Sequence, residues 1–281
     1  MKLIPDPVPL VDPARRLVLF TNGKCGGTTL KSWFFANLDL PGFEANPLRF
    51  AMTFGPKFVY SHFNSGRKLT PRAVQATDPE QVRRMTIFYR RAFCAPAVAS
   101  GRTAGFFKFA VVRNPEDRAV SAFLDKFCGD NRDTSWVRTA AAAAHPDSDP
   151  SFMDFLAYID CVDEAACDLH WRRQSYVFDA HVLDAFVRLE HLAEDFRAIA
   201  DRVGDAHFGK LELKLKRNLS AIDDAAAPPV GDMTGLRASE IAAWRAARGY
   251  FPPKDALVTD VSRAQIRRAY ARDYALLPYK D

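Results

Sequence analysis

Residues 17–31 read LVLFTNGKCGGTTLK, and their types and spacing could hold a phosphate or a sulfate group. The apolar run gives way to Lys24, the glycines Gly26 and Gly27, and the threonines Thr28 and Thr29. A loop that leads from a strand into a helix gathers unpaired backbone N–H groups and the positive helix end at one point. Glycines let a backbone approach an anion, and hydroxyls and a lysine add donors. The stretch predicts an anion site, while a tight turn whose glycines serve only packing remains the alternative.

The position of the lysine distinguishes this loop from that of nucleotide triphosphatases. Those enzymes carry GxxxxGK[ST], in which the lysine follows the glycines and directly precedes the helix. Lys24 precedes the glycines here, and no aspartate stands convincingly at a predicted strand end to hold Mg²⁺. A P-loop kinase or nucleotidase is therefore an alternative that the spacing disfavours.

A second segment, residues 107–123, reads FKFAVVRNPEDRAVSAF. Arg113 ends a predicted strand, and Ser121 follows eight residues later on the second turn of a predicted helix. A guanidinium gives a charge-assisted fork and a hydroxyl completes the shell, so both could bind one anion. A purely structural role fits Arg113 and Ser121 equally well, and Arg118 on the same helix could form a salt bridge or lie on the surface.

The elements that must position these residues follow from apolar patterning and turn signals. Strands are predicted at residues 16–21, 57–63, 106–112 and 186–189. Helices are predicted at residues 28–38, 79–99, 115–127, 192–203, 239–248 and 262–277, with the arginines of 79–99 on an exposed face. Alternating strands and helices predict an α/β fold with a mostly parallel sheet flanked by helices. Ligands bind such sheets at the carboxyl ends of the strands, where both segments fall.

Two further stretches are interpreted as irregular. Residues 139–150 are polar and alanine-rich and are expected to form an insertion or mobile loop, and residues 223–232 are expected to form a loop. We expect one domain over residues 1–281, with a loop or helical insertion around 130–180.

The two segments together resemble the sulfotransferases, in particular the family that includes carbohydrate sulfotransferases. GKCGGTTL resembles their 5′-phosphosulfate loop, often PKxxGTSL, with Gly23 in place of the proline. VVRNPEDRAVSAF resembles their 3′-phosphate motif RxPxxRxxSxF at every defined position. Weaker similarities follow in the expected order: HWRRQ at 170–174, FVRLEHLAEDF at 186–196 and IRRAYARDYALLPY at 266–279.

The resemblance implies a P-loop-like three-layer fold and an enzyme that uses 3′-phosphoadenosine 5′-phosphosulfate (PAPS). The sulfuryl group would pass to an acceptor hydroxyl or amine without metal or ATP, leaving adenosine 3′,5′-bisphosphate. Lys24, Gly26, Gly27, Thr28 and Thr29 would hold the 5′-phosphosulfate. Arg113 and Ser121 would hold the 3′-phosphate. Lys24 would also act in catalysis by neutralising the bridging oxygen as it leaves.

A base must take the proton from the attacking group. His62 is the predicted base, because it lies near the end of a predicted strand and histidine titrates near working pH. Related sulfotransferases use a histidine or glutamate from this part of the fold, while a histidine that only hydrogen-bonds there is the alternative. His170 is the second candidate, and His170 and Trp171 are predicted on the acceptor side, although Trp171 and Gln174 could instead pack and hydrogen-bond. Glu190 is predicted to be structural, binding backbone or an arginine.

Composition indicates the charge of the expected ligand and the cellular compartment. The net charge of +5 and a pI near 9.0 favour an anionic ligand, but no nucleic-acid-reading module is present. The five cysteines are scattered without a metal-ligand spacing, which suits a reducing compartment. Neither a secretory signal nor a transmembrane segment is recognised, so a cytoplasmic location is expected.

The acceptor is predicted only by class, as a saccharide, a glycolipid or a small metabolite. Variable loops at residues 41–56 and 131–151 are expected to shape its pocket, and the basic run KLKRNLS at 214–220 is either a solvated face or a loop over the ligand. The oligomeric state is not predicted. A non-catalytic protein that keeps the nucleotide site as a scaffold or sensor is a further alternative, because Gly23 replaces the family proline.

Overall fold

The computed structural model describes residues 7–38, 52, 79–203 and 230–279. The chain divides into two compact units, the first formed by Met1–Val112 and Val177–Leu215 and the second by Arg113–Tyr176 and Lys216–Asp281. The predicted strand at residues 57–63 lies outside the described residues. The single-domain assignment stays a prediction.

The first unit contains a four-stranded sheet with the order β1-β2-β3-β4. Its strands are β1 (Leu10–Asp12), β2 (Leu17–Thr21), β3 (Phe107–Val112) and β4 (Ala185–Arg188). β1 pairs antiparallel with β2, whereas β2 and β3, and β3 and β4, pair in parallel. The prediction of a mostly parallel sheet in an α/β fold is confirmed, and β2, β3 and β4 lie within one residue of their predicted bounds.

Helices flank the sheet and form most of the second unit. In chain order they are α1 (Gly27–Asn37), α2 (Pro79–Tyr89), a π-helical turn (Arg90–Cys94), α3 (Ala95–Ala99), α4 (Pro115–Lys126), α5 (Ser135–Ala144), α6 (Phe152–Cys161), α7 (Leu192–Val203), α8 (Ala238–Arg248), α9 (Asp260–Ala269) and α10 (Ala271–Leu276). Short 3₁₀ turns lie at Ser175–Val177, Leu189–His191 and Lys254–Ala256. No helix within these described ranges is both long and apolar enough to cross a lipid bilayer.

The central strand β2 is buried along its whole length. Leu17 and Leu19 belong to one apolar cluster with Phe109, Val111 and Val187 from the neighbouring strands, and residues of α1, α2 and α7 complete that cluster. Each such side chain contributes about 1.5–3 kcal/mol when fully buried. The carboxyl end of β2, from which the candidate loop leaves, is therefore firmly anchored.

The expectation of a loop at residues 139–150 is wrong over its first half. α5 runs from Ser135 to Ala144, and it buries Val137, Ala140 and Ala141. Alanine has the highest helix propensity, and the three buried residues lie on one side of the helix at spacings of three and four. The alanine run is therefore a packed helix.

The predicted helix at 262–277 is in fact two helices, α9 and α10. The break falls at Tyr270, whose backbone has φ −112° and ψ 27°. Tyr270 is buried, and its hydroxyl donates to the carbonyl oxygen of Trp171 at 2.7 Å. The tertiary hydrogen bond and the burial of this ring override the helical spacing of the sequence.

The arginines of the predicted 79–99 helix do not all lie on an exposed face. Arg84 and Arg91 are exposed, but Arg90 is half-buried and donates from Nη2 to the Thr21 hydroxyl at 2.8 Å. A long aliphatic stem lets an arginine cross an apolar surface while its guanidinium reaches a polar group. Arg90 therefore reaches the last residue of β2, immediately before the candidate loop.

Candidate functional site

The loop between β2 and α1 has an unusual backbone conformation. Lys24 has φ 64° and Gly26 has φ 69°, so both residues adopt the left-handed region. For a residue with a side chain this costs of the order of 1 kcal/mol, and it recurs where the surrounding structure or function requires it. Alternating backbone conformations of this kind orient successive N–H groups for anion binding. The backbone of the loop is thus compatible with an anion site, which stays a prediction.

The two glycines have different roles. A Cβ added to Gly26 would lie 2.8 Å from Leu189 Cδ1, and the left-handed conformation would add strain, so glycine is required there for the fold. A Cβ added to Gly27 would meet the Asn22 carbonyl oxygen at 3.5 Å and Lys31 Nζ at 3.9 Å, which are ordinary contacts. Packing does not require glycine at position 27, which leaves close approach to a ligand as a reason for it.

The N-terminus of α1 is not closed by side chains. Its N-cap residue is Gly26, which has no side chain that could cap the first turn, and the first turn carries no acidic residue. The first N–H groups of a helix have no partner within the helix, and its N-terminus carries about half a positive charge. α1 therefore presents the positive end of a helix and its first backbone N–H groups beside Lys24, Thr28 and Thr29.

Asn22 adds a donor at the start of the loop. Its side chain is 5% exposed, and its Nδ2 has no hydrogen-bond partner among the residues that the structure describes. A buried amide without a partner costs of the order of 1–3 kcal/mol. Asn22 was not among the predicted site residues, because an asparagine before a glycine is equally typical of a turn.

Lys31 and Arg90 are two further cations beside the loop that the sequence analysis missed. Lys31 lies one turn after Gly27, and a helical side chain leans toward the N-terminus, which explains the 3.9 Å approach of its ammonium. Burial, and secondarily the charge of Arg90, lower the pKa of Lys31 to about 8. The i, i+4 spacing from Gly27 could have revealed Lys31, but nothing local in the sequence points to Arg90.

In the second unit, Arg113 follows the last residue of β3 and is held by its backbone. Its N–H donates to Gln174 Oε1 at 2.8 Å, and Gln174 Nε2 donates to the Arg113 carbonyl oxygen at 2.8 Å. The N–H groups of Gln174 and Ser175 donate in turn to the two carboxylate oxygens of Asp273, at 2.8 and 2.9 Å. Gln174, Ser175 and Asp273 are all 0% exposed. This buried network fixes the backbone from which the Arg113 guanidinium extends.

Ser121 and Arg118 lie on α4, and both are buried. Arg118 is 1% exposed and donates from Nη2 to the Leu169 carbonyl oxygen at 3.0 Å. Of the two alternatives for Arg118, a salt bridge or a surface position, its burial excludes the surface position. Ser121 lies three residues further along the helix, which puts it on the neighbouring part of the same face.

The N-terminus of α4, unlike that of α1, is already satisfied. The Asn114 side chain accepts from the Glu116 N–H at 2.8 Å. Lys254 pairs with Asp117 at 2.6 Å, and Arg263 pairs with Glu116 at 3.1 Å. The capped and acidic first turn leaves anion binding in this segment to side chains such as Arg113 and Ser121.

The acceptor-side candidates His170 and Trp171 differ in exposure. His170 Nδ1 lies 2.6 Å from Asp168 Oδ1, and its ring stacks on Trp136 with centroids 5.4 Å apart. Burial alone would raise the pKa of Asp168, but hydrogen bonds from His170 lower it below its ordinary value. Trp171 is 1% exposed and packs against Phe127, which gives it a place in the core. Acceptor-side roles for both stay predictions.

Several predicted site elements lie outside the described residues. They are His62, the basic run at 214–220 and the expected acceptor loop at 41–56. Among the residues that are described, no group of histidine, cysteine, aspartate and glutamate side chains could hold a metal ion.

The parallel sheet and the glycine-containing loop between β2 and α1 define an α/β protein of the P-loop-like class. A family model described as the sulfotransferase family, family 2, matches residues 9–280, and the chain belongs to that family. Sulfotransfer is the activity that this family shares. No curated protein and no solved structure gives a significant match to the chain.

Proposed function

We propose that the protein is an enzyme that takes a sulfuryl group from PAPS and transfers it to a hydroxyl or an amine of an acceptor. The observation that carries the proposal is the uncapped N-terminus of α1, which follows the left-handed residues Lys24 and Gly26. Family membership supports sulfotransfer, and the loop supplies donors suited to a phosphosulfate.

The residues of the first unit would bind the 5′ group of the donor. The N–H groups of Gly27, Thr28 and Thr29 begin α1, and both threonine hydroxyls add donors. Thr28 is exposed and Thr29 half-buried, so neither is committed to the apolar core. Lys24 would place its ammonium beside the oxygen that leaves.

The residues of the second unit would bind the 3′-phosphate. Arg113 supplies a guanidinium on a backbone fixed by Gln174, and Ser121 supplies a hydroxyl from α4. A guanidinium binds phosphate through two parallel hydrogen bonds, so a fixed backbone limits the freedom that is lost on binding. Support for these roles comes from the complete RxPxxRxxSxF match and from family membership.

PAPS would supply an activated sulfuryl group. In an in-line transfer the acceptor oxygen or nitrogen bonds to sulfur as the bond from sulfur to the bridging phosphate oxygen breaks. The Lys24 ammonium would offset the negative charge that develops on the bridging oxygen, and the acceptor proton would pass to a protein base. The products are a sulfated acceptor and adenosine 3′,5′-bisphosphate.

For the base we propose His62, with His170 as the second candidate because Asp168 orients its ring. His62→Ala should leave the affinity for adenosine 3′,5′-bisphosphate unchanged and lower kcat by about 10²–10⁴-fold. His170→Ala is the matched comparison. A wild-type kcat for His62→Ala would make the assignment wrong, and a large loss confined to His170→Ala would move the role to His170.

For the acceptor we propose a saccharide, a glycolipid or a small metabolite, and for the location the cytoplasm. The acceptor proposal rests on the resemblance to carbohydrate sulfotransferases and on the net charge of +5, which favours an anionic partner. A panel of these three compound classes, offered with radiolabelled PAPS, would test it. Sulfation confined to some other class, such as a protein tyrosine, would contradict it.

Calorimetric titration with adenosine 3′,5′-bisphosphate tests the function itself. We expect micromolar binding without Mg²⁺, and release of the same nucleotide from PAPS in the presence of an accepted compound. Absence of binding at millimolar nucleotide would refute the proposal. Tight binding of Mg²⁺-ATP in its place would favour the kinase-like alternative, and nucleotide binding without turnover across the acceptor panel would favour a scaffold or sensor.

A further inference from the structure

Lys31 and Arg90 form a pair of like charges beside the β2–α1 loop. The Lys31 ammonium lies 3.9 Å from the position of a Cβ on Gly27, the first residue of α1. Arg90 approaches from the π-helical turn and is anchored at Thr21, the last residue of β2. Two cations from different elements therefore lie beside the two ends of the β2–α1 loop, Arg90 at Thr21 and Lys31 at Gly27.

The ammonium of Lys31 lies in a positively charged part of the first unit. No carboxylate in the described parts of the chain forms an ion pair with Lys31, and the first turn of α1 has no acidic residue. The adjacent helix end is itself positive. A half-buried ammonium near a guanidinium and a helix N-terminus is unfavourable in isolation, and an anion bound there would offset the charge of Lys31 and of the helix end.

We propose that Lys31 is a second cation for the 5′ group of the donor nucleotide and that Arg90, anchored at Thr21, is a positioning residue beside it. This inference rests on the proposed function, since the anion it names is the 5′ group of the nucleotide. Lys24 precedes Gly26 and Gly27 in the sequence and Lys31 follows them, so one cation on each side of these glycines would bind the 5′ group. Neither Lys31 nor Arg90 belongs to the motifs that the sequence analysis selected.

If Lys31 binds the 5′ group, the affinity for the nucleotide depends on the protonation of the Lys31 amine. Lys31 has a pKa of about 8, well below its ordinary value, so it loses charge as the pH rises through 8. A bound anion favours the ammonium and raises that pKa, so binding near pH 8 takes up about half a proton. Among the described residues, the charged group that acts on Lys31 is Arg90 on the π-helical turn.

Titration calorimetry at pH 8 in EPPS and in Tris, which differ in heat of ionisation, measures this uptake directly. With adenosine 3′,5′-bisphosphate, wild type should take up about half a proton per site. Lys31→Met should take up none and bind about 10- to 100-fold more weakly at pH 7, because a charge-assisted hydrogen bond is lost. The difference in affinity should shrink as the pH rises from 7 to 9.5.

Three comparisons separate this role from a structural one. Arg91→Met removes a neighbouring exposed charge and should match wild type in affinity and proton uptake. Arg90→Gln keeps a donor for Thr21 but removes the like charge, so the uptake should move to higher pH. Adenosine 3′-phosphate, which lacks the 5′ group, should bind wild type without proton uptake.

The outcomes distinguish the two proposals. Wild-type binding with no proton uptake, or with an uptake that Lys31→Met retains, would overturn the role of Lys31 and leave the proposed function intact. Uptake with adenosine 3′-phosphate would overturn its assignment to the 5′ group. No binding of adenosine 3′,5′-bisphosphate by folded wild type, checked by circular dichroism, would overturn both proposals.

Discussion

Lys24→Ala is expected to lower kcat for sulfuryl transfer by about 10²–10³-fold, with a much smaller change in affinity for adenosine 3′,5′-bisphosphate. The charge on the bridging oxygen develops fully only in the transition state, so a group that meets it acts mainly on kcat. The left-handed backbone at Lys24 is strained for a residue with a side chain, which is typical of a position under a functional constraint. The assay follows release of adenosine 3′,5′-bisphosphate from PAPS with the best acceptor of the panel.

Two variants control this result. Arg102→Ala removes an exposed charge from the same unit and should retain wild-type kcat and affinity. Lys24→Gly removes the side chain while easing the backbone strain, so it should fold at least as stably as wild type and still lose kcat. A kcat within threefold of wild type in Lys24→Ala would remove Lys24 from the catalytic step.

Arg113→Ala is expected to weaken the binding of adenosine 3′,5′-bisphosphate by about 10- to 100-fold. This corresponds to the loss of a hydrogen bond to a charged group, which contributes about 1.5–3 kcal/mol. The buried network fixes Arg113 through its backbone N–H and carbonyl, and alanine keeps both groups. The loss should therefore come from the guanidinium alone, without unfolding. Titration calorimetry measures it.

The ligand itself provides the sharpest control for this prediction. Adenosine 5′-phosphate lacks the 3′-phosphate, so its affinity should be equal for wild type and Arg113→Ala. Arg138→Ala, an exposed arginine of the same unit, should leave both ligands unaffected. An equal loss for both nucleotides would show that Arg113 acts on the fold or on another part of the ligand.

The sequence was sufficient to predict an element wherever adjacent residues determine its structure. β2 and β3 are short apolar runs that end at turn residues, and their burial on both faces is the state that such runs predict. α4 begins at Pro115, with Asn114 as its cap and acidic residues in its first turn, all of which are local signals. The two segments predicted to bind anions follow directly from these elements.

The sequence was not sufficient to predict an element wherever contacts between distant residues determine its structure. β1 has only three residues and is a strand because it pairs with β2. Tyr270 interrupts a helical pattern because it hydrogen-bonds to Trp171, 99 residues away. Arg90 contributes to the candidate site through Thr21, 69 residues away. Tertiary contacts of this range leave no periodic signal in either segment.

The network around Asp273 ties the position of Arg113 to the end of the chain. Asp273 lies on α10, the last described helix, and its carboxylate accepts the two N–H groups that orient Gln174. A shortened protein that stops before α10 would keep both anion-binding motifs in its sequence, yet it would lack the residue that holds Gln174 against Arg113. Helix α10 thus supports the candidate residue Arg113 from a distant part of the sequence, and expression designs should preserve it as carefully as the loop at Lys24.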